Sequence, residues 1–296
     1  MNISARDAVR LAISYGEVFD YPLTEEELRI WMPYIRPPRA IVHGTALKNK
    51  RLLAIRKQRE AWAEDKWIQA RRIANILTII PTITLVGVTG GLTRSNTRQE
   101  DDIDFIIISS PEALWVTRAL STVLLDILRL RRRVNDREVR NRICLNMFIS
   151  EAGLAVPRTE RDLYTAHEVL LMTPLWERGG AYQKFLTANR WVKKFLPNAW
   201  KKKNQELRIR NHGQKQNIGV FFRLPLIHVS RFLIRLIEPV AQYIQLRYMS
   251  RRRSSEIVTD IIIRFHPRDA RIWIKRALGR RLAKYDIPLD KIFYAR

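Results

Sequence analysis

The stretch that decides the fold runs from Thr89-Gly90-Gly91, through ten further residues, to Asp102-Ile103-Asp104-Phe105-Ile106-Ile107-Ile108. The apolar run at its end predicts a buried β-strand. Side chains alternate between the two faces of a strand, so Asp102 and Asp104 share one face and Ile103 takes the other. Two carboxylates on one face are typical ligands of Mg²⁺, which proteins hold with one or two carboxylates plus the phosphates of a substrate.

The glycine pair ahead of this strand predicts a turn that can approach a phosphate. Glycine has no side chain, so its backbone N–H groups can come close to an anion. The turn and the two carboxylates together predict a site for a nucleoside triphosphate with Mg²⁺ or Mn²⁺. Hydroxyl and guanidinium groups for the phosphates are available on three residues that follow the pair: Thr93, Arg94 and Ser95.

The glycine pair, the gap and Asp102-x-Asp104 resemble the motif of the DNA polymerase β-like nucleotidyltransferase superfamily, over residues 71–150. The resemblance implies an enzyme that moves a nucleotidyl group from an NTP to an acceptor. It also implies that Asp102 and Asp104 are catalytic and bind the metal, and that Gly90 and Gly91 bind the NTP. Members often carry serine where this chain has Gly91. The residues alone also allow a surface turn at 98–101 before an ordinary buried strand.

The third acid of the superfamily lies on the following strand, and the matching residue here is Asn146 in the run Ile143–Phe148. An amide oxygen is a neutral, weaker ligand for Mg²⁺, and it cannot act as a base. Three interpretations stay open. The enzyme acts with two acids and recruits Asp101 or Glu151, the chain binds NTP–Mg²⁺ without turnover, or the alignment of Asn146 with the third acid is shifted.

Nearly the whole chain is similar to uncharacterised bacterial proteins that contain a nucleotidyltransferase domain. That similarity implies that Asn146 belongs to the pattern of the group. Five short elements carry it: Tyr21–Leu23, Asp101–Asp104, Cys144–Asn146, Asp162–Glu168 and Phe265–Pro267.

The charge of the chain predicts a polyanionic partner. Its 296 residues include 54 Lys or Arg and 29 Asp or Glu, which gives a net charge of +25 and a pI near 10.9. Such a balance favours RNA, DNA or an anionic membrane surface. Residues 201–253 contain 13 Lys or Arg and two Glu. We therefore expect this region to hold a nucleic acid, RNA rather than DNA.

The single cysteine, Cys144, excludes a disulfide within the chain and fits a reducing compartment. The first seven residues are unlike a signal peptide, and no stretch of about 18 residues is free of charge, so we expect no membrane span. The expected location is the cytoplasm.

The expected fold is α+β: a small mixed-sheet nucleotidyltransferase core, an N-terminal helical module that resembles a winged helix, and a C-terminal helical region. The predicted domains are residues 1–55, 56–155 and 156–296. Only two short runs, Ala40–Val42 and Leu52–Ile55, could form the wing, so a small helical packing module is the alternative for the first domain.

Apolar spacing predicts the main elements of the second and third domains. A helix is expected to start at Ser110, and only helices are expected after Asp162. The other predictions are a long helix over 56–80 and strands over 83–88, 103–108 and 143–149.

The segment 226–238 has a narrow polar stripe on an apolar helix, with a break predicted at Pro239. With Arg251–Arg253 it could lie on a membrane surface. A buried bundle helix explains the same pattern.

Overall fold

The computed structural model of the chain describes residues 3–33, 50–133, 136–214, 231–250, 257–264, 270–289 and 293–294. The candidate wing segment Ala40–Val42, the cluster Arg251–Arg253 and the element Phe265–Pro267 lie outside these residues.

A six-stranded mixed sheet is the centre of the fold, which confirms the predicted α+β class. Its spatial order is β4-β1-β2-β3-β6-β5. Strands β2 and β3 are parallel and all other neighbours are antiparallel. The three strands predicted from apolar runs are present. The strands are β1 Ile83–Val88, β2 Ile103–Ser109, β3 Ile143–Ser150, β4 Thr173–Glu177, β5 Ile257–Val258 and β6 Ile262–Arg264.

The expectation that the chain is wholly helical after Asp162 was wrong, because β4, β5 and β6 extend the sheet. β4 contains Pro174, which has no N–H to donate and is therefore tolerated only at a sheet edge, where β4 lies. β5 and β6 have two and three residues, too few to show the alternation that identifies a strand.

Nine α-helices surround the sheet in the described part of the chain. They are α1 Ala5–Val18, α2 Glu25–Trp31, α3 Lys50–Leu77, α4 Leu114–Ile127, α5 Leu163–Leu171, α6 Ala181–Ala188, α7 Pro197–Gln214, α8 Arg231–Ser250 and α9 Ala270–Leu282. Among them, none is both long and apolar enough to cross a bilayer.

The second candidate wing segment, Leu52–Ile55, is helical and not a strand, because it belongs to α3. α3 also passes through residue 55, where the sequence places a domain boundary. The predicted capping box of α2 is present: Glu27 N donates to Thr24 Oγ1, and Thr24 N donates to the Glu27 carboxylate.

The helix expected at Ser110 begins at Leu114 instead. Glu112 has a φ of 59°, a left-handed conformation that a helix cannot contain. Two free N–H groups in the first turn of α4 donate hydrogen bonds to a residue far along the chain. The Glu238 carboxylate on α8 accepts from Trp115 N at 2.7 Å and from Val116 N at 2.9 Å. A carboxylate at this end also interacts favourably with the helix dipole.

The sheet separates two apolar cores, and this places the candidate site. Phe105 and Ile107 of β2 face the core shared with α3 and α4. Ile106 and Ile108 face the opposite core, shared with α1, α5, α6 and α9. By alternation, Asp104 lies on the side of Ile106.

Candidate functional site

The two predicted metal ligands lie together at the start of β2. Asp102 immediately precedes the strand and Asp104 is its second residue. One ligand atom from each of Asp102, Asp104 and Cys144 lies within 4.8 Å of the other two. The two strands β2 and β3 thus bring three polar groups to one point, of which two are carboxylates.

Cys144 lies directly opposite Asp104 in the pairing of β2 with β3. Its thiol donates a hydrogen bond to the Asp104 carboxylate, and burial together with that carboxylate raises the pKa of Cys144. The sulfur therefore stays protonated and neutral. Mg²⁺ prefers oxygen ligands, so the two carboxylates suit this ion and the thiol serves as a hydrogen-bond donor to one of them.

Asn146, the predicted third catalytic residue, lies two residues beyond Cys144 on β3. It falls where the register between β2 and β3 shifts, between the pairs made by Leu145 and Met147. The residue is 5% exposed. The position that pairs with Asp104 is therefore Cys144 and not Asn146.

The charge of the two carboxylates is balanced unequally. Burial, and next the Asp102 carboxylate, raise the pKa of Asp104 to about 7. Asp102 instead forms an ion pair with Arg132, whose Nη1 is 2.7 Å from Asp102 Oδ2. Arg132 thus balances the negative charge of Asp102. A bound divalent cation would therefore stabilise the ionised form of Asp104 more than that of Asp102.

The glycine turn, Gly90–Arg94, lies directly against Asp104. Gly90 has a φ of +71°, and a β-carbon on it would be 2.6 Å from Asp104 Oδ2. A β-carbon on Gly91 would be 2.7 Å from the carbonyl oxygen of Asn96. Thr89 N donates to the Asp104 carbonyl at 3.0 Å. The turn lies against the carboxylate because Gly90 lacks a side chain, and it closes on Asn96 because Gly91 lacks one.

The three other residues predicted to bind phosphate differ in their contacts. Thr93 Oγ1 donates to the Gly90 carbonyl at 2.7 Å, so it stabilises the turn itself. Arg94 Nη2 lies 3.8 Å from Glu168 Oε1. Ser95 has a φ of 51° and ends the turn. Thr89 Oγ1, by contrast, is buried and has no hydrogen-bond partner among the described residues.

Lys66 on α3 supports the site, and the sequence analysis missed it. The residue is 1% exposed and donates to Gln99 O at 3.2 Å, to Asp101 O at 2.5 Å and to Asn141 Oδ1 at 2.9 Å. Burial lowers the pKa of this lysine. The bonds fix the loop that ends at Asp102. Lys66 lies three residues after Ala63 and four before Ala70, which are both buried. This helical spacing could have indicated from the sequence that Lys66 is buried too.

The glycine turn provides a direct mutational prediction. Gly90→Ala places a methyl group against Asp104 in a left-handed backbone, so we expect Mg²⁺ binding to fall by at least about tenfold, together with a loss of stability of roughly 1–2 kcal/mol. Titration calorimetry and thermal unfolding measure the two effects. Gly179→Ala is the matched control, because Gly179 has a φ of +62° and open space around it. If Gly90→Ala and Gly179→Ala change Mg²⁺ binding and stability equally, the effects come from backbone strain and not from contact with Asp104.

An arginine-lined cleft includes Arg131 and Arg133, the sequence neighbours of Arg132. Its volume is about 400 Å³. Arg132, in the same loop, makes the ion pair to Asp102. The predicted nucleic-acid region, residues 201–253, is described only in part, whereas this basic loop contacts Asp102 through Arg132. The cleft is formed by Asp126, Arg129, Arg131, Arg133, Asp136 and Arg142.

Comparison of the chain with protein-family models, with curated proteins and with solved structures found no match in any of the three. The function is therefore inferred from the geometry of the site.

Proposed function

We propose that this chain is a Mg²⁺- or Mn²⁺-dependent nucleotidyltransferase that moves an NMP group from an NTP to an acceptor. One observation carries the proposal: Gly90 lies in contact with Asp104, with Asp102 on the same side. A turn able to approach phosphates and a pair of carboxylates able to hold a divalent cation thus meet at one point, which is the arrangement that binding an NTP–metal complex requires.

Each group has a distinct role in the proposed reaction. Asp102 and Asp104 would hold the cation, and a bound cation would neutralise charge on the phosphates. The turn and Thr89 Oγ1 position the triphosphate for in-line attack. An acceptor oxygen forms a bond to the α-phosphorus as the bond to the bridging oxygen breaks, and pyrophosphate leaves. The acceptor proton passes to solvent, since Asn146 has no ionisable group.

The arginine-lined cleft favours a polyanionic acceptor, and RNA is the proposed one. Arg132 pairs with Asp102 and would be released when a cation binds there. It would then be free to contact phosphate. A nucleic acid bound in the cleft would place its end near the carboxylates, and its binding would weaken steeply with salt because each neutralised phosphate releases a counterion.

A binding module without turnover is the second candidate. The amide at Asn146 favours it, because this position lacks the acid that serves the acceptor side in the superfamily. In this case the chain binds NTP–Mg²⁺ and nucleic acid but releases no pyrophosphate.

Incubation with each α-labelled NTP, Mg²⁺ or Mn²⁺ and bulk cellular RNA and protein tests the proposal. We expect label in RNA, and its loss in Asp102→Asn. Label in protein would move the acceptor to another class. Absence of label with every NTP, together with thermal stabilisation by NTP–Mg²⁺, would establish the binding module instead.

The raised pKa of Asp104 predicts how metal binding depends on pH. The carboxyl is largely protonated below its pKa of about 7, and a metal ligand must be deprotonated. Mg²⁺ affinity should therefore rise as pH rises through 7, with roughly tenfold weaker binding at pH 6 than at pH 8. Titration calorimetry at a series of pH values measures this. A flat profile over pH 6–8 would contradict Asp104 as a ligand.

A further inference from the structure

A cavity of about 360 Å³ lies beside the glycine turn. Thr93, Arg94 and Ser95 of the turn line one side. Helices α1 and α2 and the connector between them, together with residues of α3 and α5, line the rest, so the N-terminal helices close a space against the glycine turn. Its volume falls in the range of small-ligand sites, about 300–1,000 Å³.

The walls of this cavity are aromatic. The rings of Tyr15 and His167 stack with 3.9 Å between their centroids and planes 13° apart. Trp31 also stacks on His167, with 5.4 Å between the ring centroids. His167 Nδ1 is 2.8 Å from Leu163 O, and burial lowers the pKa of His167 to about 3, so the ring is neutral. Phe19 also lines the cavity. Planar rings bind such walls by stacking.

Two buried donors face this space without a hydrogen-bond acceptor among the described residues, although Arg94 Nη2 lies 3.8 Å from the Glu168 carboxylate. Tyr15 Oη and Arg94 Nη2 are buried, and neither makes a hydrogen bond in the described chain. Arginine offers only donors, so even if Arg94 donates to Tyr15, the hydroxyl proton of Tyr15 still needs an acceptor. Burying a donor without a partner costs about 1–3 kcal/mol. A ligand with acceptor atoms on its ring would recover this energy.

The other charges of the cavity balance one another. The Arg56 guanidinium contacts the Glu27 carboxylate at 2.6 and 2.9 Å and the Glu60 carboxylate at 2.7 Å. It therefore has no excess positive charge for a phosphate. The cavity suits a neutral ring, and the phosphates of a nucleotide suit the glycine turn beside it.

We propose that this cavity binds a nucleobase, which stacks on the aromatic walls and accepts a hydrogen bond from Tyr15 or Arg94. The ring belongs either to the NTP or to the terminal nucleotide of a nucleic-acid acceptor, and this assignment rests on the proposed function. The N-terminal helices are then part of a ligand site.

Equilibrium dialysis with the four ribonucleosides, without phosphate or metal, tests the proposal. We expect at least one to bind, with affinity reduced about 5–10-fold in Tyr15→Phe, which loses one hydrogen bond. Trp31→Leu should bind more weakly still. Tyr243→Phe is the matched control, because Tyr243 is exposed on α8. No binding by any nucleoside, or unchanged binding in both cavity variants, would overturn the proposal.

Two further experiments show whether the base belongs to the NTP or to the acceptor, and separate the cavity proposal from the proposed function. Competition of the bound nucleoside with NTP assigns the cavity to the donor, and competition with an oligonucleotide assigns it to the acceptor. Asp104→Asn should bind nucleosides normally. Nucleoside binding without any NMP transfer would refute only the proposed function, and transfer without nucleoside binding would refute only the cavity.

An independent observation concerns α8, which turns its apolar side to solvent. Two of its polar residues face α4: Glu238 caps that helix, and Gln245 Nε2 donates to Trp115 O at 2.8 Å. Pro239, at which a break was expected, lies inside α8. The outward side includes Phe232, Leu233, Leu236, Ile237, Val240, Tyr243 and Ile244, each 48–66% exposed.

We infer that this face of α8 lies on an anionic lipid surface. The helix has 20 residues, a length of about 30 Å, and an exposed apolar face of this size is a mark of an interaction surface. A second copy of the chain would bring another net charge of +25 to the contact, whereas anionic headgroups attract this charge. Arg247 is exposed on the same helix, whereas Arg235, although exposed, pairs with Glu112 at 2.5 Å.

Sedimentation with phosphatidylcholine vesicles, with and without phosphatidylglycerol, tests this surface. We expect binding only with the anionic lipid, and at least tenfold less for the double variant Leu236→Glu, Ile244→Glu. Ile68→Glu is the control, because Ile68 is 63% exposed on α3. Protein that stays in the supernatant, because a second copy or another part of the chain covers the face, would overturn the inference.

Discussion

Asp104→Asn should abolish NMP transfer and at the same time make the metal-free protein more stable at pH 8. The neutral amide is a poor Mg²⁺ ligand, so transfer should fall by at least about 100-fold. The gain in stability follows from the raised pKa of Asp104. The folded state holds a proton there more tightly than the unfolded state, so the free energy of unfolding decreases as pH rises from about 4 to 7. The substitution removes this loss.

Thermal unfolding at pH 8 and pH 5, beside the labelled-NTP assay, measures both effects. The melting temperature of Asp104→Asn should exceed that of the unaltered protein by a few degrees at pH 8. The difference should be smaller at pH 5, because the stability of the unaltered protein is lost progressively as pH rises from about 4 to 7. Asp65→Asn on α3 is the control, since Asp65 is exposed. If Asp104→Asn keeps its transfer activity, Asp104 is not part of the active site. If the variant melts at a lower temperature than the unaltered protein at pH 8, the ionised Asp104 carboxylate does not destabilise the folded state.

The sequence predicted the local features of the site because they depend on near neighbours. Alternation along β2 places Asp102 and Asp104 on one side, and the structure brings them together. The apolar runs of β1, β2 and β3 also predict these strands correctly. The glycine turn was identified from two small residues, but its contact with Asp104 depends on a φ of +71° that the sequence only permits.

Features that depend on distant partners could not be predicted. Glu238 caps α4 from 123 residues away, so the start of that helix, counted at its N-cap, was placed three residues early. The pairing of Cys144 with Asp104 depends on the register of two parallel strands, which shifts just beyond it. β4 was missed because its proline suits only an edge strand, and no local pattern identifies an edge.

The support of Asp102 by Lys66 leads to the second large prediction. Lys66→Met keeps the length of the side chain but removes three hydrogen bonds to the loop at Gln99, Asp101 and Asn141. Buried acceptors that lose their donor are costly, so we expect a loss of about 3 kcal/mol in the free energy of unfolding. We also expect weaker Mg²⁺ binding, because the segment that carries Asp102 loses its anchor. Unfolding by urea and titration calorimetry measure the two quantities.

Lys57→Met separates this role from a general effect of charge. Lys57 is exposed on the same helix, and the substitution removes the same unit of charge from a protein of net charge +25. We expect a change within about 0.5 kcal/mol for this control. If Lys66→Met unfolds at the same urea concentration as Lys57→Met, the three bonds contribute nothing to stability. If it is destabilised but binds Mg²⁺ with unchanged affinity, Asp102 is positioned by β2 alone, and Lys66 supports the fold without supporting the site.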